Sequence, residues 1–507
     1  MLKVFRAVGI IRLLIDEQAL FEAIGLKSRI VVYADTPIGT LSNRCYGQFI
    51  EHLGECIYGG VWVGRDSKMP NENGFRLDVL EAVKDLNPPL VRWPGGNFAS
   101  GYHWEDGVGP LSRRPRRYDL AWGAEEPNLF GTDEFVEWCR LIGAEPFITV
   151  NAGNGTPEEA ARWVEYCNSN RNTYYSSLRR EYGHNEPYNV KLWGVGNELY
   201  GEWQIGSCVD GAECARRTLE FANEMRKADP SIELVAVGCE DPEWNLEMVK
   251  GSGKCFDYLS VHYYAPGNKP YKELVAVPVH VEQMLRNTHG LVEATRRKYG
   301  VKHEIKLAFD EWNVWYPEAK EPLFTQVTRV KDAVFTGGIL NMLQRLCSIV
   351  PISNFAQTVN VLPLIIAASD GRMVLTPQYL VFKMYCSNKG ARVLRTLADS
   401  ELYLSNEAGG YVPYVDASAT ASEDGATVYL YVLNRSEDDS VELRVDFKGF
   451  TPRSGVQEFI AGENAEDRNT LEYPDRVRVE QASVEATDGG VGIVLKPHSV
   501  NVLRLHG

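Results

Sequence analysis

The 507-residue sequence lacks several features that define large classes of protein. It has ten cysteines but no Cys-x-x-Cys pair, which argues against a zinc ribbon or a thioredoxin-type redox motif. It contains no apolar run near the roughly 20 residues of a membrane-spanning helix. No Gly-x-Gly-x-x-Gly segment follows a strand pattern, so nucleotide binding has little support. These absences favour a protein that needs no cofactor and does not act at a membrane.

The chain also has fewer basic residues than acidic ones. The chain has 53 Lys and Arg residues against 68 Asp and Glu residues, and its formal net charge is −15. A surface of this sign repels polyanions, which argues against nucleic acid or an anionic membrane as a partner. Hydrophobic residues make up 44% of the chain, so a core can form and disorder is excluded as its main state.

The N-terminal segment has only the outline of a secretion signal. Lys3 and Arg6 precede an apolar run, but Arg12 interrupts it, Asp16 and Glu17 follow, and no Ala-x-Ala cleavage pattern appears. A chain of this size does not need disulfides, so we expect its cysteines to be buried free thiols, typical of a reducing compartment. We therefore predict a cytoplasmic protein in which residues 1–28 are a poorly ordered extension.

Strand and helix patterns alternate through the middle of the chain. Eight short β-rich runs are separated by helical patterns with clear start signals, such as the capping box Thr156-Pro157-Glu158-Glu159. The eight runs are 46–52, 90–97, 146–153, 191–198, 234–240, 258–264, 306–312 and 353–360. Eight such units imply an α/β fold in which a parallel sheet closes into a (β/α)8 TIM barrel.

From about residue 388 the pattern becomes all-β. Strand composition recurs in 391–404, 427–434, 440–447, 476–485 and 491–505. We predict a barrel over 46–387 and a C-terminal β-sandwich, jelly-roll-like, over 388–507. A strand segment over 29–45 is expected to join that sandwich.

Polar or aromatic side chains end every predicted barrel strand. Barrel enzymes place their sites at this rim, so polar groups on all eight strands indicate an active site. The rim groups are Glu51, His52, Asn97, Asn151, Asn197, Glu198, Glu240, His262, Tyr264, Glu311, Trp312 and Gln357. The rim histidines lack metal-ligand spacing to any Asp, Glu or Cys, so we predict no metal.

Two rim carboxylates stand out by their context. Glu198 follows Asn197 at the end of the fourth strand, and Glu311 lies beside a tryptophan at the end of the seventh. Glycoside hydrolysis needs such a pair: one carboxyl protonates the leaving oxygen, and the other attacks the anomeric carbon or activates water. Strict alternation along the seventh strand would turn Glu311 inward and Asp310 to the wall. The alternative is that one glutamate only pairs with Arg92.

The motifs that carry these residues resemble glycoside hydrolase family 51, the α-L-arabinofuranosidases. The segments that carry the resemblance are 46–54, 92–97, 101–110, 114–122, 196–198, 310–315 and 356–361. The resemblance implies that Glu198 is the general acid/base, with a pKa that is raised while the glycosidic oxygen awaits a proton, and that Glu311 is the nucleophile. It implies that Arg92 keeps the nucleophile ionised and that His262 supports the site.

The resemblance also implies a binding pocket and an assembly. Five residues would hydrogen-bond the furanose hydroxyls: Glu51, Asn97, Asn197, Tyr264 and Gln357. Trp122 and Trp315 would frame the pocket near the leaving group, and Tyr263 stays an alternative to Tyr264. Family members commonly form hexamers, so a homo-oligomer is expected.

The function implied by the resemblance is retaining, exo-acting hydrolysis of terminal α-L-arabinofuranosyl residues. The partner would be a neutral arabinose-containing oligosaccharide derived from arabinoxylan or arabinan. One alternative keeps the chemistry and changes the substrate, as in a β-xylosidase or an endo-β-glucanase. A remote alternative is a non-catalytic carbohydrate-binding protein, which would be expected to lack one of the two carboxylates.

Overall fold

The computed structural model describes residues 26–320, 326–487 and 489–507. The predicted extension over residues 1–28 lies outside the described residues, apart from its last three.

Eight parallel strands form a closed barrel, as predicted. Each strand pairs with its neighbour in chain order, and the eighth pairs with the first. In chain order the strands are Gly47–Phe49, Leu90–Trp93, Glu145–Val150, Leu192–Val195, Glu233–Ala236, Tyr258–Pro266, Lys306–Trp315 and Ile352–Ala356. The predicted (β/α)8 fold class is confirmed.

Ten α-helices lie in the described ranges, most of them around the barrel. Their starts follow the sequence signals: Thr156 Oγ1 accepts a hydrogen bond of 3.1 Å from the Glu159 backbone N–H, with Pro157 in the first turn. The helices are Leu77–Leu86, Thr132–Ile142, Pro157–Asn168, Tyr174–Glu181, Gly211–Ala228, Pro242–Ser252, Tyr271–Leu274, Val277–Lys298, Val330–Arg345 and Pro377–Ser387. Short 3₁₀ turns occupy Asn97–Gly101, Trp104–Gly107, Leu111–Arg113 and Pro317–Lys320.

The barrel interior changes from apolar to charged along the strands. A compact apolar layer fills its lower part, formed by Leu90, Phe147, Leu192, Val235, Ala308 and Ile352. Side chains two residues further along a strand share the same face. Leu90 is therefore followed by Arg92 and Ala308 by Asp310, and both of these charged residues are buried. The apolar layer closes the floor, and the charges above it face the C-terminal rim.

The C-terminal part forms one ten-stranded ladder whose opposite ends share a core. In ladder order the strands are Glu480–Val484, Ser454–Ile460, Ser499–His506, Thr427–Asn434, Val415–Ala421, Arg392–Asp399, Leu26–Thr40, Val441–Lys448, Gly490–Leu495 and Ala486–Thr487. Val484 at one end and Val491 near the other belong to the same hydrophobic cluster. The ladder therefore folds over itself as a sandwich, in agreement with the predicted fold class.

The first described strand belongs to this C-terminal sheet. Leu26–Thr40 pairs antiparallel with Arg392–Asp399 and parallel with Val441–Lys448. Strands 415–421 and 454–460 were not predicted, and the runs 391–404 and 491–505 each contain two strands rather than one. The boundaries proposed between the domains stay a prediction.

Four two-stranded hairpins complete the described strands. They are Asn71–Glu72 with Phe75–Arg76, Arg117–Tyr118 with Glu125–Glu126, Ile365–Ala367 with Met373–Leu375, and Leu402–Ser405 with Gly410–Pro413. All ten cysteines are free and buried, as predicted. Of the helices described here, none combines the length and the apolar character that a membrane crossing requires.

Candidate active site

The structure brings the two predicted carboxylates together at the C-terminal rim. Glu198 follows the fourth strand through a sharp turn, with Gly196 at φ +82° and Glu198 itself at φ +43°. Glu311 lies in the seventh strand, and one of its oxygens is within 4.8 Å of an oxygen of Glu198. Two carboxyl groups this close across a barrel are typical of glycoside hydrolases.

An irregularity in the seventh strand sets the direction of Glu311. On the sixth strand, Ser260 pairs with Ala308 but His262 pairs with Glu311, so the seventh strand contains one extra residue. A β-bulge of this kind breaks the alternation of faces. Both adjacent acids therefore point into the barrel. The expectation that Asp310 faces the wall is wrong, because Asp310 continues the inward face of Ala308 and the bulge turns Glu311 inward as well.

Two donors hold Glu311. Arg92 Nη1 donates to Oε1 at 2.5 Å, and the Tyr264 hydroxyl donates to Oε2 at 2.8 Å. Burial lowers the pKa of Arg92, but Asp310 and Glu311 more than offset this and raise it, so the guanidinium stays charged. A cation and a hydroxyl group therefore fix both oxygens of Glu311 inside the barrel.

Three donors surround Glu198. His262 Nδ1 lies 2.8 Å and the Tyr200 hydroxyl 3.2 Å from Oε1, and Trp203 Nε1 lies 3.3 Å from Oε2. Burial alone would raise the pKa of Glu198, but the donors, with His262 foremost, lower it below its usual range. Glu198 is therefore a carboxylate in the free chain, and the raised pKa expected while a glycosidic oxygen awaits its proton stays a prediction.

His262 is the cation that causes this shift. Burial lowers the pKa of His262, but Glu311, Asp310 and Glu198 together outweigh burial and raise it to about 10. Its Nε2 lies 3.4 Å from Asp310 Oδ1 and 3.1 Å from Ser260 Oγ. The imidazolium therefore connects the two predicted catalytic carboxylates and the buried Asp310.

Glu51 is a further buried acid at the same site. Its Oε1 accepts from the Phe98 backbone N–H and from Trp122 Nε1, both at 3.1 Å, and its Oε2 accepts from Gln357 Nε2 at 2.8 Å. Burial and then Glu311 raise the pKa of Glu51 to about 8, although the donors act in the opposite direction. Glu51 is therefore mostly neutral at pH 7.

Two glycines allow Glu51 and Glu311 to approach the backbone after the second strand. A Cβ at Gly95 would lie 2.8 Å from Glu51 Oε1. A Cβ at Gly96 would lie 3.1 Å from Glu51 Oε2 and 3.3 Å from Glu311 Oε1. These positions therefore leave no room for a larger residue beside the two acids.

The predicted asparagines form one network with Arg92. Arg92 Nη2 donates to Asn197 Oδ1 at 2.7 Å, and Asn197 Nδ2 donates to Asn97 Oδ1 at 3.4 Å. Gln204 Nε2 donates to the same Asn97 oxygen at 2.9 Å. Side-chain amides are thus fixed next to the carboxylates, where they can contact sugar hydroxyls.

The remaining predicted aromatics lie at different places on the rim. Tyr264 contacts Glu311, whereas the Tyr263 hydroxyl points to Glu407 at 3.3 Å in the C-terminal part of the chain. Trp122 contacts the site through the hydrogen bond that its Nε1 donates to Glu51. Trp315 is half-buried at the end of the seventh strand. Of the two tyrosines, the structure brings only Tyr264 to the carboxylates.

Glu198, His262 and Glu311 offer atoms that could in principle ligate a metal. These atoms lie within 4.8 Å of one another, and this is the one such group of three in the described ranges. Arg92 and the protonated His262 already supply positive charge there. A metal cation would have to compete with both, so the donor set fits a metal poorly.

Sequence reasoning missed several residues of the site. One follows from the strand pairing, and three lie in the segment directly after Glu198, where aromatic and amide residues next to a rim carboxylate were the available signal. The missed residues are Tyr200, Trp203, Gln204 and Ser260, whereas Asp310 was considered but placed on the wrong face of its strand.

The barrel and its paired rim carboxylates place the chain among the glycoside hydrolases of this fold. Residues 82–278 match the family model "Alpha-L-arabinofuranosidase 1 domain", and residues 310–499 match "Alpha-L-arabinofuranosidase C-terminal domain". Together these matches cover most of the barrel and most of the C-terminal sheet.

Curated proteins and solved structures agree with these matches. The chain is 37% identical to α-L-arabinofuranosidase C of Emericella nidulans over 82% of this chain and 86% of the relative. It is 33% identical to the intracellular exo-α-(1→5)-L-arabinofuranosidase 1 of Bacillus subtilis over 94% of this chain and 99% of the relative. The crystal structure of α-L-arabinofuranosidase from Thermotoga maritima in an arabinose complex superposes with a TM-score of 0.89, at 42% identity, over 95% of this chain and 100% of that one. The chain belongs to the α-L-arabinofuranosidases of glycoside hydrolase family 51.

Proposed function

We propose that the chain is a retaining, exo-acting α-L-arabinofuranosidase. It removes terminal α-L-arabinofuranosyl residues from oligosaccharides derived from arabinan or arabinoxylan. The observation that carries this proposal is the separation of less than 4.8 Å between oxygens of Glu198 and Glu311. Retaining glycosidases hold their carboxyl groups about 5–5.5 Å apart, whereas inverting ones need about 6.5–9.5 Å to admit a water.

Glu311 attacks the anomeric carbon in the first step and forms an arabinosyl-enzyme. Arg92 and Tyr264 orient its two oxygens. Glu198 protonates the departing oxygen in the first step, and as a carboxylate it removes a proton from water in the second. The covalent bond to Glu311 is then broken by that water.

The proton for the first step is held by the pair of Glu198 and His262. Their 2.8 Å contact means that the two groups titrate together rather than separately. In the free chain the proton stays on the imidazole, which keeps Glu198 ionised. Substrate that excludes water from Glu198 favours the neutral carboxyl, the form that donates to the leaving oxygen.

The pocket residues bind the furanose hydroxyls in this proposal. Asn97, Asn197 and Gln357 present amide groups next to the carboxylates, and Glu51 can donate a hydrogen bond because its neutral form dominates at pH 7. Trp122 and Trp315 border the pocket. The arabinose complex of the Thermotoga maritima relative supports an arabinose-containing substrate.

We also propose a cytoplasmic location and a homo-oligomer, as a hexamer. The location is supported by the ten buried free thiols and by the word intracellular in the name of the Bacillus subtilis relative. The oligomer follows from the family resemblance alone. Light scattering of the purified chain tests it.

Hydrolysis of 4-nitrophenyl α-L-arabinofuranoside tests the proposed function, with 4-nitrophenyl β-D-xylopyranoside as the competing substrate. We expect the chain to release 4-nitrophenol from the arabinoside, and NMR should show that the arabinose formed first has the retained anomeric configuration. Glu311→Ala should lower the rate by about a thousandfold or more. Glu220→Ala is the matched control, because Glu220 is an exposed acid on the helix Gly211–Ala228 and is not one of the rim groups. Preference for the xyloside, an inverted product or an active Glu311→Ala variant would refute the proposal.

A further inference from the structure

Gln204 is a buried glutamine whose side-chain amide is only half used. The residue is 4% exposed, and its Nε2 donates to Asn97 Oδ1 at 2.9 Å. Its Oε1 is buried as well and has no hydrogen-bond partner within the described ranges. A buried acceptor without a partner lowers stability, and an apolar residue of the same size would avoid this cost. Stability therefore does not explain why a glutamine occupies this position.

A chain of hydrogen bonds that begins at Arg92 fixes the direction of each amide in turn. A guanidinium group has donors and no acceptor, so Asn197 must turn its Oδ1 towards Arg92 Nη2, which lies at 2.7 Å. Asn197 Nδ2 then lies on the other side and donates to Asn97 Oδ1 at 3.4 Å. This second bond is long, and the 2.9 Å bond from Gln204 gives the same oxygen a better donor. The two donors together hold the Asn97 oxygen towards the protein.

The Asn97 Nδ2 group is left to donate into the site. Asn97 is half-buried, and in the part of the chain that the structure describes its Nδ2 donates to no protein acceptor. An amide turned the other way would present a carbonyl oxygen, which accepts a hydrogen bond but cannot donate one. The direction of this amide therefore decides which kind of hydrogen bond a ligand can form with Asn97.

We propose that Gln204 is a positioning residue, which holds the Asn97 amide so that its N–H donates to a hydroxyl oxygen of the bound sugar. This inference rests on the proposed function, because it takes the ligand to be a furanose in this pocket. The carboxylates Glu198 and Glu311 accept hydrogen bonds, so a hydroxyl that donates to one of them still needs a donor for its own oxygen. Gln204 supplies that donor indirectly, since its own amide is buried and does not contact the sugar.

Substrates that each lack one hydroxyl group measure this hydrogen bond. The parent is 4-nitrophenyl α-L-arabinofuranoside, and its 2-deoxy, 3-deoxy and 5-deoxy forms are compared with it. The measured quantity is the factor by which each deletion changes kcat/KM. Asn97→Ala identifies the hydroxyl concerned, because the deletion of that hydroxyl should lose its effect in this variant. Differences in intrinsic reactivity among the substrates are the same for every variant and cancel when the factors are compared.

Two variants of Gln204 and one control define the expected result. Gln204→Met keeps the length of the side chain and removes the donor, so it should reduce the factor for the identified hydroxyl about three- to tenfold, the worth of one neutral hydrogen bond. The other two factors should not change. Gln204→Glu faces Asn97 Oδ1 with a carboxylate and should act in the same direction. Gln457→Met should change none of the three factors, although it breaks a matched 2.8 Å bond from a buried glutamine to Asn501 in the C-terminal sheet.

An equal loss on all four substrates in Gln204→Met and Gln204→Glu would overturn the inference, because a general effect on folding lowers every rate alike. A further loss when Gln204→Met is added to Asn97→Ala would overturn it too, since a residue that acts through Asn97 has no effect once that side chain is gone. If the unmodified chain does not hydrolyse the parent arabinoside, the proposed function itself fails. The activity of the unmodified chain therefore distinguishes the two failures.

Discussion

Replacement of Glu198 by alanine should convert the acid/base position into a site for a small anion. Three donors then lose their acceptor: His262 Nδ1, the Tyr200 hydroxyl and Trp203 Nε1. His262 still faces Glu311 and Asp310, which keep it protonated near neutral pH. A hole lined by a cation and two neutral donors favours azide.

The size of the effect follows from the number of donors and from the role of the lost group. General acid/base catalysis contributes about 10²–10⁴ in rate, so hydrolysis of arabinobiose by Glu198→Ala should fall by that factor. Hydrogen bonds to a charged group are worth about 1.5–3 kcal/mol each. Three such donors left unpaired give azide enough interaction to occupy the hole at millimolar concentration.

An activated substrate makes the rescue visible. With 4-nitrophenyl α-L-arabinofuranoside, the first step needs little acid help, so Glu198→Ala accumulates the arabinosyl-enzyme and azide accelerates its breakdown. The product should be the α-configured arabinosyl azide, because azide attacks from the face that Glu198 occupied. In Glu311→Ala, azide would enter from the other face and give the β-azide. A β-azide from Glu198→Ala, or no acceleration, would show that the two roles are assigned wrongly.

Two further predictions concern residues that contact the carboxylates. Tyr264→Phe removes a donor to Glu311 and should lower kcat/KM by about 10- to 100-fold. Tyr263→Phe is its control and should change kcat/KM by less than about threefold. Equal losses in the two variants would contradict the assignment of Tyr264 to the pocket. Asp310→Asn removes a counter-ion of His262, whose pKa of about 10 in the folded chain exceeds its ordinary 6.5. Stability from this histidine is fully present below about pH 6.5 and is lost as pH rises through 10. The variant lowers the folded pKa, so its Tm should fall less than that of the wild type between pH 7 and pH 10, and an equal fall would contradict this electrostatic account.

The barrel could be predicted because its signals are local. Each strand is a short apolar run that ends in a polar residue, and each helix begins at a recognisable cap, as at Thr156. The N-terminal strand of the C-terminal sheet could be suspected from composition. The strands that it pairs with could not be predicted, because Val31 pairs with Leu397 and Asp446, which are hundreds of residues away in the sequence.

The site could be predicted only in part, because two of its properties depend on geometry. Alternation predicted one inward acid on the seventh strand, but a bulge that leaves no mark in the local pattern turns both Asp310 and Glu311 inward. The second property is the pKa of Glu198, which is lowered in the free chain. The donors that lower the pKa come from its own loop and from the sixth strand, so their positions required the fold.

The charges that the bulge brings into the barrel explain why the site suits glycoside hydrolysis. Asp310 and Glu311 are both inward, and two buried cations, Arg92 and His262, balance two negative charges. Three carboxylates of the site, Glu198, Asp310 and Glu311, thus face two cations, and the site carries one excess negative charge, since Glu51 is mostly neutral at pH 7. A glycosidic bond breaks through a transition state with positive charge on the sugar ring. A pocket with one excess negative charge stabilises that state more than the neutral substrate, and such a difference is what lowers a barrier.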